Sequence, residues 1–168
     1  MDRAQLQEIQ RPIKDRYRED PDAAVITLEA EGSLDSDGVA CSVQTGRALV
    51  EAGLHPATGG TGALACSGDM LLEALVACAG VTLRSVATSL EIPVSGTVRA
   101  EGELDFRGTL GVDKEAPVGF RSIRLLFDLE HESSEEQIET LLRLTERYCV
   151  VYQTLAGGVP VDISLQTA

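Results

Sequence analysis

Apolar and polar positions alternate along the chain with changing period, and the changes mark its elements. Residues 3–18 are mostly charged and place Leu6, Ile9 and Ile13 at helical spacing, which predicts a short peripheral helix broken near Pro12 or Pro21. Residues 24–30 and 39–45 read as strands, and the turn formers between Gly32 and Gly38 join them as a hairpin. Residues 55–62 follow as a glycine-rich loop. From Ser67, a capping residue with Asp69 in the first turn behind it, a helix runs to about Leu90 and ends before Pro93. Its middle, Ala74 to Leu83, is apolar on every side, the pattern of a buried central helix.

The period then returns to two. Val98, Ala100, Leu104 and Phe106 alternate with charged residues over Thr97–Arg107, and Ile123, Leu125, Phe127 and Leu129 alternate over Phe120–Leu129, with a loop at Asp113–Gly119 between them. Ser133 or Ser134, followed by Glu136 or Gln137, forms a capping box. The helix behind it aligns Ile138, Leu141, Leu142, Thr145, Cys149 and Tyr152 on one stripe until Gly157-Gly158 stops it. Val159, Val161, Ile163 and Leu165 alternate as a last strand. The order β-β-α-β-β-α-β after a short helix, mainly antiparallel and with two core helices, is of the α+β class.

Length and composition fit a single domain over residues 1–168, with residues 1–23 as its peripheral N-terminal helix. Hydrophobic residues make up 43% and charged residues 24%, enough for a core without disulfide or metal. Lys and Arg number 14 against 27 Asp and Glu, a net charge of −13 that opposes nucleic acid and anionic membranes as partners. The residues after Met1 form no basic start followed by an apolar stretch, and the longest uncharged apolar run, Ala74–Leu83, is short of a bilayer's width. The expected location is the cytoplasm, where the four cysteines are mostly reduced.

The candidate chemistry is cysteine chemistry. Cys78 lies in the middle of the central helix and Cys149 on the core face of the other. Free cysteines are among the most buried residues, so packing alone would account for both. Two thiols on two core helices are also placed to meet. A reactive thiolate needs a cation or amide dipoles beside it, and Cys78 is too far along its helix to use that helix's own N-terminus. Cys41 sits on a strand with Val39 and Val43, and Cys66 in the loop before the helix. No CxxC occurs, and His55 and His131 lie in unrelated segments, so a zinc site is poorly supported. Gly59-Gly-Thr-Gly62 matches no phosphate-loop pattern, and no GxSxG elbow is present. The acidic run 130–136 reads as a helix cap on solvated surface.

The segment Ser67-Gly-Asp-Met-Leu-Leu-Glu-Ala-Leu-Val-Ala-Cys78 resembles the helix motif of the OsmC/Ohr superfamily, the osmotically inducible and organic hydroperoxide resistance proteins. Glu146-Arg-Tyr-Cys-Val-Val-Tyr-Gln-Thr-Leu155 resembles that family's second cysteine motif, and the likeness extends over residues 24–165. The resemblance implies the OsmC-like fold, with antiparallel sheets around two central core helices in an intertwined homodimer. It implies a thiol-dependent peroxidase that reduces organic hydroperoxides in oxidative stress defence, with no metal, haem or flavin. Cys78 would be the peroxidatic cysteine and Cys149 the resolving one, their disulfide reduced by an external dithiol. The family's activating glutamate falls at Gly68 or Asp69, of which Asp69 can substitute. Its arginine near the first hairpin turn has no counterpart in Ser33–Gly38, so Arg47, Arg16 or Arg18 would take its place. Cys149 is followed by Val150 where the family has proline. Two other functions remain open for such a chain. One is a dimer that binds a small apolar ligand or senses redox state without turnover, and the other uses Cys78 as an acyl acceptor.

Overall fold

The computed structural model describes residues 2–25, 32–34, 40–44 and 49–166. Helix α1, Arg3–Glu19, starts at an Asp2–Gln5 capping box and runs through Pro12 rather than breaking there. Proline deletes one backbone bond, and a helix with no buried residue absorbs that loss without ending. A 3-10 turn, Pro21–Ala24, follows. Residues 26–30 of the expected first strand lie outside the described residues. The strand that does pair, β1, is Gly32–Leu34, in the segment expected to turn. It runs antiparallel to β2, Ala40–Gln44, with Leu34 opposite Cys41. A third strand, β3, Leu49–Gly53, had no counterpart in the sequence reading and pairs with the other edge of β2. Its alternation is too short to separate from a loop, and it is fixed by pairing across β2 and by a parallel bridge from Ala52 to Ala65.

Helix α2, Ser67–Leu90, is the axis of the fold. Its N-cap is Cys66 rather than Ser67. By length and composition α2 is long and apolar enough to cross a membrane. In this chain it packs on the hairpin of β4, Val94–Leu104, and β5, Phe120–His131, which pair antiparallel with a register shift between Glu103 and Leu104. The expected all-round burial is not what one chain provides. A single stripe, Leu75, Ala79, Leu83 and Ala87 at intervals of four, is buried, while Val81 on another face is 72% exposed. A short helix α3, Phe106–Thr109, capped by Asp105, opens the β4–β5 connection, so Phe106 leaves the strand expected to contain it.

The last helix is two. Helix α4, Glu135–Tyr148, begins at a Ser134–Gln137 capping box and buries Leu141 and Thr145. Cys149 is extended, at φ −74° and ψ 107°, and α5, Val150–Gly157, starts anew from it and ends at left-handed Gly158. Residues 159–166 form no strand, and Val161, Ile163 and Leu165 are 81%, 98% and 88% exposed. Alternation predicts a strand only if an edge is available to pair with, and among the described residues none is offered to this segment.

The core has two halves along α2. In one, Leu83, Ala87, Ile92 and Leu141 are packed by Phe127, Leu129 and Ile138. In the other, Leu75, Ala79 and Cys149 are packed by Cys78, Val98, Ile123 and Leu125. The second half holds both candidate thiols.

Candidate active site

Cys78 lies beside the buried stripe of α2, one residue before Ala79, and is half-buried. Thr82 stands one turn further on the same face. Cys149 is 1% exposed and sits at the break between α4 and α5. The break is stapled from both sides. The Cys149 amide donates to the Thr145 carbonyl at 2.9 Å, and Gln153 N–H donates to the Cys149 carbonyl at 2.9 Å. The Tyr152 hydroxyl donates to Glu146 Oε1 at 3.0 Å, and the Gln153 side-chain amide to the Glu146 carbonyl at 2.9 Å.

The break gives the second helix a new N-terminus, and its first amides are directed at Cys78. The thiol is placed by opposing effects. Burial alone would raise its pKa, but hydrogen bonds from the Val151 amide, the Cys149 thiol, the Val150 amide and the Thr82 hydroxyl outweigh burial and hold Cys78 below the ordinary cysteine value. Cys149 moves the other way. Burial raises it, the hydrogen bond it gives to Cys78 and the charge of that neighbour raise it further, and amides of Tyr152 and Val151 only partly offset the rise. The pair is therefore polarised, with Cys78 shifted toward the thiolate and Cys149 toward the neutral thiol that hydrogen-bonds to it. Both are free of disulfide. Val98, Ala100, Leu125 and Phe127 supply an apolar wall.

Of the sequence candidates, the structure brings Cys78 and Cys149 together. It does not bring Asp69 to them within this chain. Nine residues along a helix amount to about 13 Å and half a turn of rotation. Asp69 instead lines a second cavity of about 490 Å³ with Cys66, His55, Glu103 and Arg121. There His55 stacks on Phe106, ring centroids 4.9 Å apart. Arg47 lies outside the described residues. Arg16 is exposed on α1, and Arg18 pairs with Asp15. Cys41 lies in β2, in register with Leu34 and Ala52. Among the described residues no arginine hydrogen-bonds Cys78, and no group of three or more His, Cys, Asp and Glu is placed to hold a metal.

The sequence reading missed the donors. Val150, Val151 and Thr82 have no chemical signature of their own, and an unbroken helical stripe hides the break. The family's proline after the second cysteine is the available signal, because proline is favoured at the first position of a helix.

An α+β chain with a central helix, an antiparallel hairpin on it and two thiols meeting where a second helix breaks defines a structural class. The sequence model of the OsmC-like protein family matches residues 60–164, and the chain belongs to that family. Solved structures agree on the fold. An OsmC-like protein from Mycoplasma pneumoniae is similar with TM-score 0.64 at 19% identity, covering 79% of this chain and 89% of the other. An organic hydroperoxide resistance protein OsmC from Legionella pneumophila is similar with TM-score 0.58 at 15% identity, covering 80% and 92%. The organic hydroperoxide resistance protein OhrB of Bacillus subtilis is similar with TM-score 0.53 at 18% identity, covering 85% and 100%. No curated protein sequence matches.

Proposed function

We propose that the chain is a thiol-dependent peroxidase for organic hydroperoxides, acting through Cys78 and Cys149. The observation that carries this reading is the polarised thiol pair at the N-terminus of α5. The Cys78 thiolate attacks the terminal oxygen of the hydroperoxide and the O–O bond breaks. Cys78 becomes a sulfenic acid, and the alkoxide leaves as alcohol with the proton that Cys149 holds against Cys78. The Cys149 thiolate then attacks the sulfenic sulfur, the S–O bond breaks as the disulfide forms, and the departing hydroxide takes one proton from a buffer acid to leave as water. An external dithiol returns both thiols. The apolar wall of Val98, Leu125 and Phe127 suits an organic leaving group. The exposed 159–165 run and the open face of α2 around Val81 support a homodimer whose second subunit covers them.

One equivalent of cumene hydroperoxide added to reduced protein, followed by denaturation and mass mapping of thiols, tests the cycle. The expected product is a Cys78–Cys149 disulfide in the native chain and an oxygen adduct on Cys78 in Cys149→Ser. Four intact thiols would overturn the reading. That outcome would favour the ligand-binding or redox-sensing dimer, the reading motivated by the absence of an arginine in Ser33–Gly38.

A further inference from the structure

A Cys78–Cys149 disulfide must be opened by an external thiol, and its two sulfurs are not equal targets. In thiol–disulfide exchange the incoming thiolate attacks one sulfur in line with the S–S bond. The other sulfur leaves, and it leaves faster when its thiol is the more acidic. The opposed environments of the pair make Cys78 the better leaving group. Attack then falls on Cys149, from the side away from Cys78. Cys149 is 1% exposed, so that approach needs an opening through the core.

A cavity of about 190 Å³ lies there, between β5 and the break from α4 to α5. It is lined by Cys149 with Leu125, Phe127, Leu142, Glu146 and Tyr152, and Cys78 is not in its lining. No residue of α2 lines it either, so it lies clear of the open α2 face around Val81. Sites that enclose whole ligands run roughly 300–1,000 Å³, so this one admits only a slender arm. Its walls are apolar, and the exposed hydrogen bond from the Tyr152 hydroxyl to Glu146 Oε1 marks its solvent end.

On the peroxidase reading of the pair, we propose that this cavity is the entry for the external dithiol and that the mixed disulfide forms on Cys149. One thiolate of the dithiol bonds to Cys149 Sγ, the S–S bond breaks, and its electron pair leaves on Cys78 Sγ. The second sulfur of the dithiol then attacks the first, and Cys149 Sγ departs with the proton that this second thiol gives up. The dithiol ends as its cyclic disulfide. The pair ends as Cys78 thiolate and Cys149 thiol, the protonation from which the peroxide step starts.

Full-length protein whose pair has been joined with diamide tests the entry without any peroxide. Brief exposure to 2-mercaptoethanol, an acid quench and peptide mass mapping locate the first mixed disulfide. Mercaptoethanol is expected on Cys149 with Cys78 free, by about tenfold over the reverse. An adduct mainly on Cys78, an equal mixture, or failure of diamide to join the pair would overturn the inference. Glu146→Trp, which sets a large ring at the solvent end, should lower the ratio of dithiothreitol reduction rate to diamide oxidation rate by about tenfold. An unchanged ratio would also overturn it. A pair that diamide joins but cumene hydroperoxide does not, with the adduct on Cys149, would reject the peroxidase reading and uphold the entry. An adduct on Cys78 in a pair that the hydroperoxide does join would reject the entry alone.

Discussion

Helix α2 carries two free cysteines, and they differ in an instructive way. Cys66 is the N-cap residue, at the end where a helix presents unpaired amides, yet its side chain makes no capping hydrogen bond. It lines a cavity with His55, Asp69 and Arg121. Cys78 lies in the middle of the same helix, where every backbone amide of α2 is spent internally, yet four donors converge on it. Three belong to the start of α5 or to Cys149 itself, and only Thr82 comes from α2. What prepares a thiol here is not its place on its own helix but the end of another helix brought against it. The break at Cys149 thus brings the end of α5 to Cys78, and Leu75, Ala79 and Cys149 pack there as one core cluster.

The sharpest way to break this comparison is to delete each thiol in turn. Cys78→Ser is expected to abolish thiol-dependent consumption of cumene hydroperoxide, a loss of at least about a thousandfold, because serine offers no comparable nucleophile at neutral pH. Cys66→Ser should leave turnover within about twofold. A coupled assay following oxidation of the external dithiol separates the two. Equal losses would mean that the N-terminal end of α2 takes part in the chemistry and that the contrast is false.

A subtler change acts on the donor rather than the sulfur. Val150→Pro removes one of the amides that face Cys78 and keeps the Val151 amide, the strongest of the donors lowering it. The backbone tolerates the ring. Proline suits the first turn of a helix, and Cys149 before it already has the extended conformation that a following proline requires. The variant should fold with unchanged or slightly raised thermal midpoint. Its rate of alkylation by iodoacetamide at pH 7 should fall by about three- to tenfold, the net worth of one hydrogen bond. An unchanged rate would show that the α5 terminus does not set the reactivity of Cys78.

Much of this molecule was legible in its sequence, and the illegible parts share a cause. The central helix, the β4–β5 pair and the Ser134 cap rest on local periodicity and capping, and the sequence places them within a few residues. The two thiols were legible as a pair because each lies on an apolar stripe. The break at Cys149 was not, because a helical stripe continues through it from Thr145 to Tyr152 while the backbone there is set by packing against α2. The run from Val159 to Leu165 erred in the opposite direction. Its alternation is real, but a strand is a property of two segments, and among the described residues none pairs with this one.

The smallest expected effect comes from Thr82, the one donor that α2 itself contributes. Thr82→Val keeps the shape and the β-branch and removes only the hydroxyl that bonds the Cys78 sulfur. That bond favours the charged form, so its loss raises the thiol toward the ordinary cysteine value. The sign follows directly. A cysteine reacts as thiolate, so at pH values below the native midpoint the variant holds less thiolate and alkylates more slowly, by about two- to threefold. Well above both midpoints the two proteins are fully ionised and their rates converge. The rate profile of Cys78 alkylation, followed by mass spectrometry across pH 5 to pH 10, should therefore shift to higher pH with its plateau unchanged. A lowered plateau at unchanged midpoint would show that Thr82 positions the sulfur or the incoming reagent rather than its proton. A parallel profile in Val150→Pro, displaced further than that of Thr82→Val, would rank the foreign helix end above the thiol's own helix in setting the chemistry of Cys78.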